Sequence, residues 1–160
     1  MTTQAWIAAV VGIAAVADDL ARRRIANWIP ASAFCAGLIL KSFESGWRGA
    51  GSSLLGAASG AGVFLIFYLA GGMGGGDIKL MAGFGALLGT RLLLEAALWT
   101  AGLGGVMATL AIAANWARRL WKKTSNRKEA TAGGSPIPRM EAIPYAPAIT
   151  AGVWLALVPK

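Results

Sequence analysis

Apolar residues run along this chain in long blocks, separated by short charged or glycine-rich breaks and without the alternation of a half-buried strand. Six blocks predict helices, over about 3–17, 28–40, 51–70, 77–89, 92–116 and 143–158. The first ends at Asp18-Asp19 and the fourth begins at Asp77. Several blocks fall short of the ~20 residues that cross a bilayer. Those need extension into polar residues, tilt or local thinning. Gly56 and Gly60 form a small-xxx-small pair that suits close helix packing.

Composition turns the helical reading into a membrane reading. Of 160 residues, 56% are hydrophobic and 14% charged, with a mean hydropathy of +0.59, far from a soluble average. The expected fold class is an all-α integral membrane protein of six transmembrane helices, one domain over residues 1–160.

The formal charge is +8, from 15 Lys and Arg against 7 Asp and Glu. In a soluble protein that excess would suggest nucleic acid. Its distribution argues instead for loops at a lipid surface, so the expected partner is the bilayer and no nucleic acid. Arg22, Arg23, Arg24 and Lys79 fall in the first and third connections, and seven more basic residues fall in 117–142. The other side of the membrane has only Lys41, Arg48, Arg91 and Lys160. The positive-inside rule therefore places these three connections in the cytoplasm, with both termini on the periplasmic or outer side. Residues 117–142 read as a basic loop, flexible around Gly133, Gly134, Pro136 and Pro138.

With no His and the single Cys35, Cys- and His-rich zinc sites are excluded. Nucleophilic triads that need His are excluded as well. The expectation is a site with no metal and no cofactor, in which carboxylates do the acid–base work. Acidic residues near a membrane are costly and read first as functional. The topology brings Asp19 and Asp77 to one face.

Asp77 follows Gly74-Gly75-Gly76 and precedes Ile78-Lys79-Leu80. The glycines remove side-chain bulk and allow unusual backbone angles. Asp77 reads either as the N-cap of the fourth helix or as a catalytic group. Asp18-Asp19 reads either as a polar stop to the first span or as the partner of Asp77. If Asp19 and Asp77 meet, both cannot stay ionised, and the pair holds one proton near neutral pH. Lys79 reads as an anchor in the headgroups, or as a charge acting on Asp77.

Gly74–Leu80 resembles the Gly-x-Gly-Asp-x-Lys-Leu signature of type IV prepilin peptidases, bacterial intramembrane aspartyl proteases. Asp19-Leu20-x-x-Arg23-Arg24-Ile25-x-Asn27 resembles the family's other aspartate motif, with Ala26 where the family usually has Pro. Ile143-Pro144-Tyr145-Ala146-Pro147 is similar to the Pro-Tyr-x-Pro segment that opens its last helix. The resemblance implies that Asp19 and Asp77 are the catalytic pair, with Gly74, Gly76 and Lys79 in support. It also implies prepilins and pseudopilins as substrates and a bacterial inner-membrane location. The chain further resembles the short, tight-adherence (Flp-type) form, without the paired Cys-x-x-Cys extension of longer members. Methyl transfer from S-adenosylmethionine, found in those longer enzymes, is not expected. A small proton- or ion-coupled transporter or a pilus assembly factor, using the same carboxylates, is the competing class. A transporter predicts inverted repeats, and none is evident.

Overall fold

Residues 145–158 lie against the opening helix of the chain, and that closure positions everything else. The computed structural model describes residues 3–69, 73–125 and 145–158. All regular structure among them is helical: α1 (Thr3–Arg22), α2 (Trp28–Leu69), α3 (Gly75–Leu88), α4 (Thr90–Ser125) and α5 (Ala146–Leu157). Three stretches are long and apolar enough to cross a membrane, namely Thr3–Arg22, Trp28–Leu69 and Thr90–Ala114, and Ala146–Leu157 is a shorter apolar helix.

A straight helix of 42 residues would extend ~63 Å, twice the hydrocarbon thickness. α2 avoids this by breaking at Ser45 (φ −142°) and Gly46 (φ 55°, ψ −136°). Glycine supplies the left-handed torsion that other residues resist. The break leaves two arms, 28–44 and 47–69, which correspond to the second and third apolar blocks.

Both arms clasp α3, whose Leu80, Met81, Phe84 and Leu87 are fully buried. A helix apolar on all sides is a central helix. The contacts are backbone to backbone. A Cβ on Gly56 would run into the carbonyl oxygen of Gly85, and one on Gly60 would lie 2.5 Å from that of Met81. On the other arm, a Cβ on Gly37 would meet the backbone of Ala86 and Leu87 at 2.5 Å. The Gly56/Gly60 pair thus has its partner in α3. α3 stops at Gly89 (φ 77°), and α4 starts one residue later.

α5 runs antiparallel to α1. Trp154 Nε1 donates to the Ala8 carbonyl at 3.4 Å, and Thr150 Oγ1 to the Gly12 carbonyl at 3.4 Å. Its other side meets α4, where a Cβ on Gly152 would sit 2.7 Å from the Thr100 amide nitrogen. Outside this core Val10, Ile13, Leu55, Ile66 and Leu98 are exposed. So extensive an apolar exterior suits lipid rather than water.

Several expected boundaries move, among them the end of α1, which continues past residue 17 to Arg22. α4 does not end near residue 116 but continues as helix to Ser125. The charge of Arg118, Arg119, Lys122 and Lys123 suggests a loop, yet Arg, Lys, Ala and Leu are good helix formers. The remainder of the 117–142 loop lies outside the described residues. Helix α3 begins at Gly75, two residues ahead of the expected Asp77 start.

Not every glycine is a contact. Gly62 meets nothing within 4 Å, so Gly62→Ala is expected to stabilise the protein by about 0.4–1 kcal/mol by restricting the unfolded chain. Thermal unfolding in detergent checks this, and a lower melting temperature would contradict an open position there.

Candidate active site

Consecutive helical residues point ~100° apart, so Asp18 and Asp19 meet different surroundings. Asp19 continues the buried stripe of Ala8, Val11, Gly12 and Ala15. It is 8% exposed, and its Oδ2 accepts the Ala146 N–H at 3.3 Å. Ala146 is the first residue of α5, whose opening amides have no partner within the helix. Pro147 favours a helix start at this point. The positive end of α5 is therefore turned towards the Asp19 carboxylate.

Asp77 is 7% exposed and lies in the first turn of α3. The N-cap is Gly74, not Asp77, which removes the capping alternative for Asp77. Asp77 Oδ2 accepts the Gly74 N–H at 3.2 Å, and the Asp77 N–H donates to the Gly74 carbonyl at 3.1 Å. This is the back-reaching half of a capping box, built on a glycine that has no side chain to return the bond.

The glycines before Asp77 do not supply unusual torsions. Among the described residues only Gly46, Gly89 and Arg23 have positive φ. They supply room. A Cβ on Gly76 would lie 3.3 Å from Ile25 Cβ, and one on Gly74 3.4 Å from the Asp77 carboxylate.

Asp19 and Asp77 thus share one end of the bundle, where Ile25 on the turn after α1 packs against Gly76, the residue before Asp77. Each of the two buried carboxylates accepts one backbone N–H, and a carboxylate is a group able to exchange a proton with water. Among the described residues, no group of three or more His, Cys, Asp or Glu is placed to hold a metal ion.

Asp18 has other partners. Its Oδ2 accepts the Ala26 N–H at 2.7 Å, and its Oδ1 lies 3.4 Å from Arg22 Nε. Lys79 is exposed and donates from Nζ to Asn27 Oδ1 at 2.9 Å. Its partner therefore lies on the α1–α2 turn and is not Asp77. Ile143 and Pro144 fall outside the described residues, whereas Tyr145, Ala146 and Pro147 open α5.

An apolar cavity of about 590 Å³ lies between α2 and α4, lined by Phe64, Phe67, Met73, Leu98, Gly104 and Tyr145 among others, with neither aspartate in its wall. Met73 directly precedes the Gly74 that bonds Asp77, and Tyr145 directly precedes the Ala146 that bonds Asp19. Sequence reasoning did not identify Ala146 or Asn27 as partners. Pro147 was a usable sign for Ala146, because a proline in a helix's first turn marks free amides just before it.

No curated protein and no solved structure matches the chain significantly. The family model described as the type IV leader peptidase family matches residues 6–109, from α1 into α4, including both buried aspartates and both aspartate motifs. That match covers more than half of the sequence, and on it the chain belongs to the type IV leader peptidase family.

Proposed function

We propose that this protein is an aspartic endopeptidase that removes leader peptides from type IV prepilins of the Flp kind, with Asp19 and Asp77 as its catalytic pair. The observation that carries the reading is that two carboxylates, from separate motifs, are buried at one end of an otherwise apolar helix bundle. Burying a charge is costly without compensation, so such a pair is kept for chemistry. Family membership supports a peptidase. The aspartic mechanism rests on the two buried carboxylates.

One carboxylate is ionised and takes a proton from a water. That water attacks the carbonyl carbon of the scissile peptide bond, and the protonated partner gives its proton to the carbonyl oxygen. The resulting diol collapses as the C–N bond breaks, and the leaving nitrogen takes up a proton from the pair. The pair titrates as a unit, so acid and base are not assigned to single residues. The apolar cavity between α2 and α4, whose wall includes the residues just before Gly74 and Ala146, suits the hydrophobic segment that follows the cleavage point of a prepilin. Gly76 leaves room for Ile25 and Gly74 for the Asp77 carboxylate, and Lys79 holds the first turn of α3.

Six spans fit this reading, since the two arms of α2 count separately and successive helical segments run in alternating directions. The cleavage site then lies near the cytoplasmic face of the inner membrane, with 1–160 as one peptidase domain.

Purified protein in detergent, incubated with a prepilin-type substrate, is expected to release the leader, and a metal chelator is expected to leave the rate unchanged. Intact substrate would reject the peptidase reading. Loss of activity with chelator, restored by metal, would reject the two-carboxylate mechanism.

A further inference from the structure

The turn between α1 and α2, residues 23–27, touches both helices that carry a buried aspartate. Towards α1, the Asp18 carboxylate accepts the Ala26 N–H at 2.7 Å. Towards α3, Asn27 Oδ1 accepts Lys79 Nζ at 2.9 Å, two residues beyond Asp77. Between these ties Ile25 packs over Gly76, where even a Cβ would come within 3.3 Å of it. The turn starts from Arg23 in the left-handed region (φ 52°), whose N–H donates to the Asp19 carbonyl at 2.7 Å. One short segment therefore joins the backbone of Asp19 to the first turn that holds Asp77.

The two ties differ in strength. The Ala26 N–H to Asp18 bond is short at 2.7 Å and partly buried, and it needs only an acceptor oxygen. Asp18 is also largely covered, its side chain 16% exposed, while the Lys79–Asn27 bond is open to the surroundings. α1 packs mainly on α5 and only slightly on α3, so the turn is a direct tie between α1 and the first turn of α3 that this packing does not supply.

We propose that Asp18 is a positioning residue for the Asp19/Asp77 pair: by pinning Ala26 it seats the 23–27 turn on the first turn of α3 and fixes how Asp19 faces Asp77. This inference rests on the dyad reading above. It gives the first acid of Asp18-Asp19 a task that is neither chemistry nor a polar stop. Its working part is an acceptor oxygen rather than a charge.

The test uses the full chain in detergent with a prepilin-type peptide carrying its apolar segment, reading kcat, KM and melting temperature. Asp18→Asn keeps an acceptor oxygen for Ala26 and is expected to retain kcat within about threefold, since a neutral acceptor still makes the bond. Asp18→Ala removes the acceptor and is expected to lower kcat roughly 10- to 100-fold at unchanged KM, the scale of a ~1 Å misplacement of a reacting group. Lys79→Met added to Asp18→Ala is expected to cost less than the product of the single effects, because both ties act on one turn.

Asp18→Asn as inactive as Asp18→Ala would overturn the proposal, since charge would then be the requirement. Full activity in Asp18→Ala would overturn it too, as would a lowered melting temperature with kcat per folded molecule unchanged. Failure of the underlying dyad is read separately, from retained cleavage in Asp77→Asn.

Discussion

Asp77→Asn is expected to abolish leader cleavage, by at least about 10²- to 10⁴-fold, the usual contribution of a positioned acid–base group. The protein should nevertheless remain folded. Asn is nearly isosteric, and its amide oxygen can still accept the Gly74 N–H that Asp77 Oδ2 accepts at 3.2 Å. The first turn of α3 keeps its bond, and melting should move by no more than about 1 kcal/mol, the net worth of such a bond. The same argument covers Asp19→Asn, whose amide oxygen can still accept the Ala146 N–H. Loss of activity with a native melting profile would therefore report on chemistry rather than packing. Cleavage at the normal rate in either variant would remove that residue from the mechanism.

The largest stability loss is expected from Gly56→Leu. Gly56 and Gly85 face each other with no side chain between them, and even a Cβ on either would run into the other's backbone. Flexible side chains can give way, but helix backbones held along their length cannot. Overpacking of this kind costs about 1–3 kcal/mol and sometimes more, and Gly56→Leu belongs at or above the top of that range. A typical margin of about 5–15 kcal/mol would be severely eroded. Thermal unfolding followed by circular dichroism in detergent measures the loss. The Gly62→Ala variant serves as the contrast, because its neighbourhood is empty. Equal melting of Gly56→Leu and wild type would mean that the second arm of α2 does not pack on α3 as described.

The sequence carried the helical character and most of the element positions, because membrane-length apolar blocks are a strong, local signal. The break in α2 was legible in the same way, as the polar stretch between two blocks. The end of α4 was not, since charge and helix propensity disagree after Trp116 and charge was given too much weight. At the candidate site the two aspartate motifs stood out, but their partners did not. The Ala146 N–H is a backbone group that any residue type could have supplied, and it lies 127 residues from Asp19. Lys79 was read against the lipid and against Asp77, the nearest candidates along the chain. Its bond to Asn27 crosses 52 residues. The glycine run was read as torsional freedom as much as space. Only the spatial part holds, because its value depends on Ile25, which no local pattern in the run could reveal.

The bond between Ala146 and Asp19 also bears on the order in which the protein is made. α1 leaves the ribosome before α5, with its buried-face carboxylate facing no amide donor from that helix. The donor arrives only with α5, together with the Trp154 and Thr150 contacts that seat that helix on α1. On the proposed reading, a nascent chain stopped before α5 would hold both aspartates in the membrane without a finished peptidase. Synthesis would then act as a built-in delay, keeping proteolysis silent until insertion is complete.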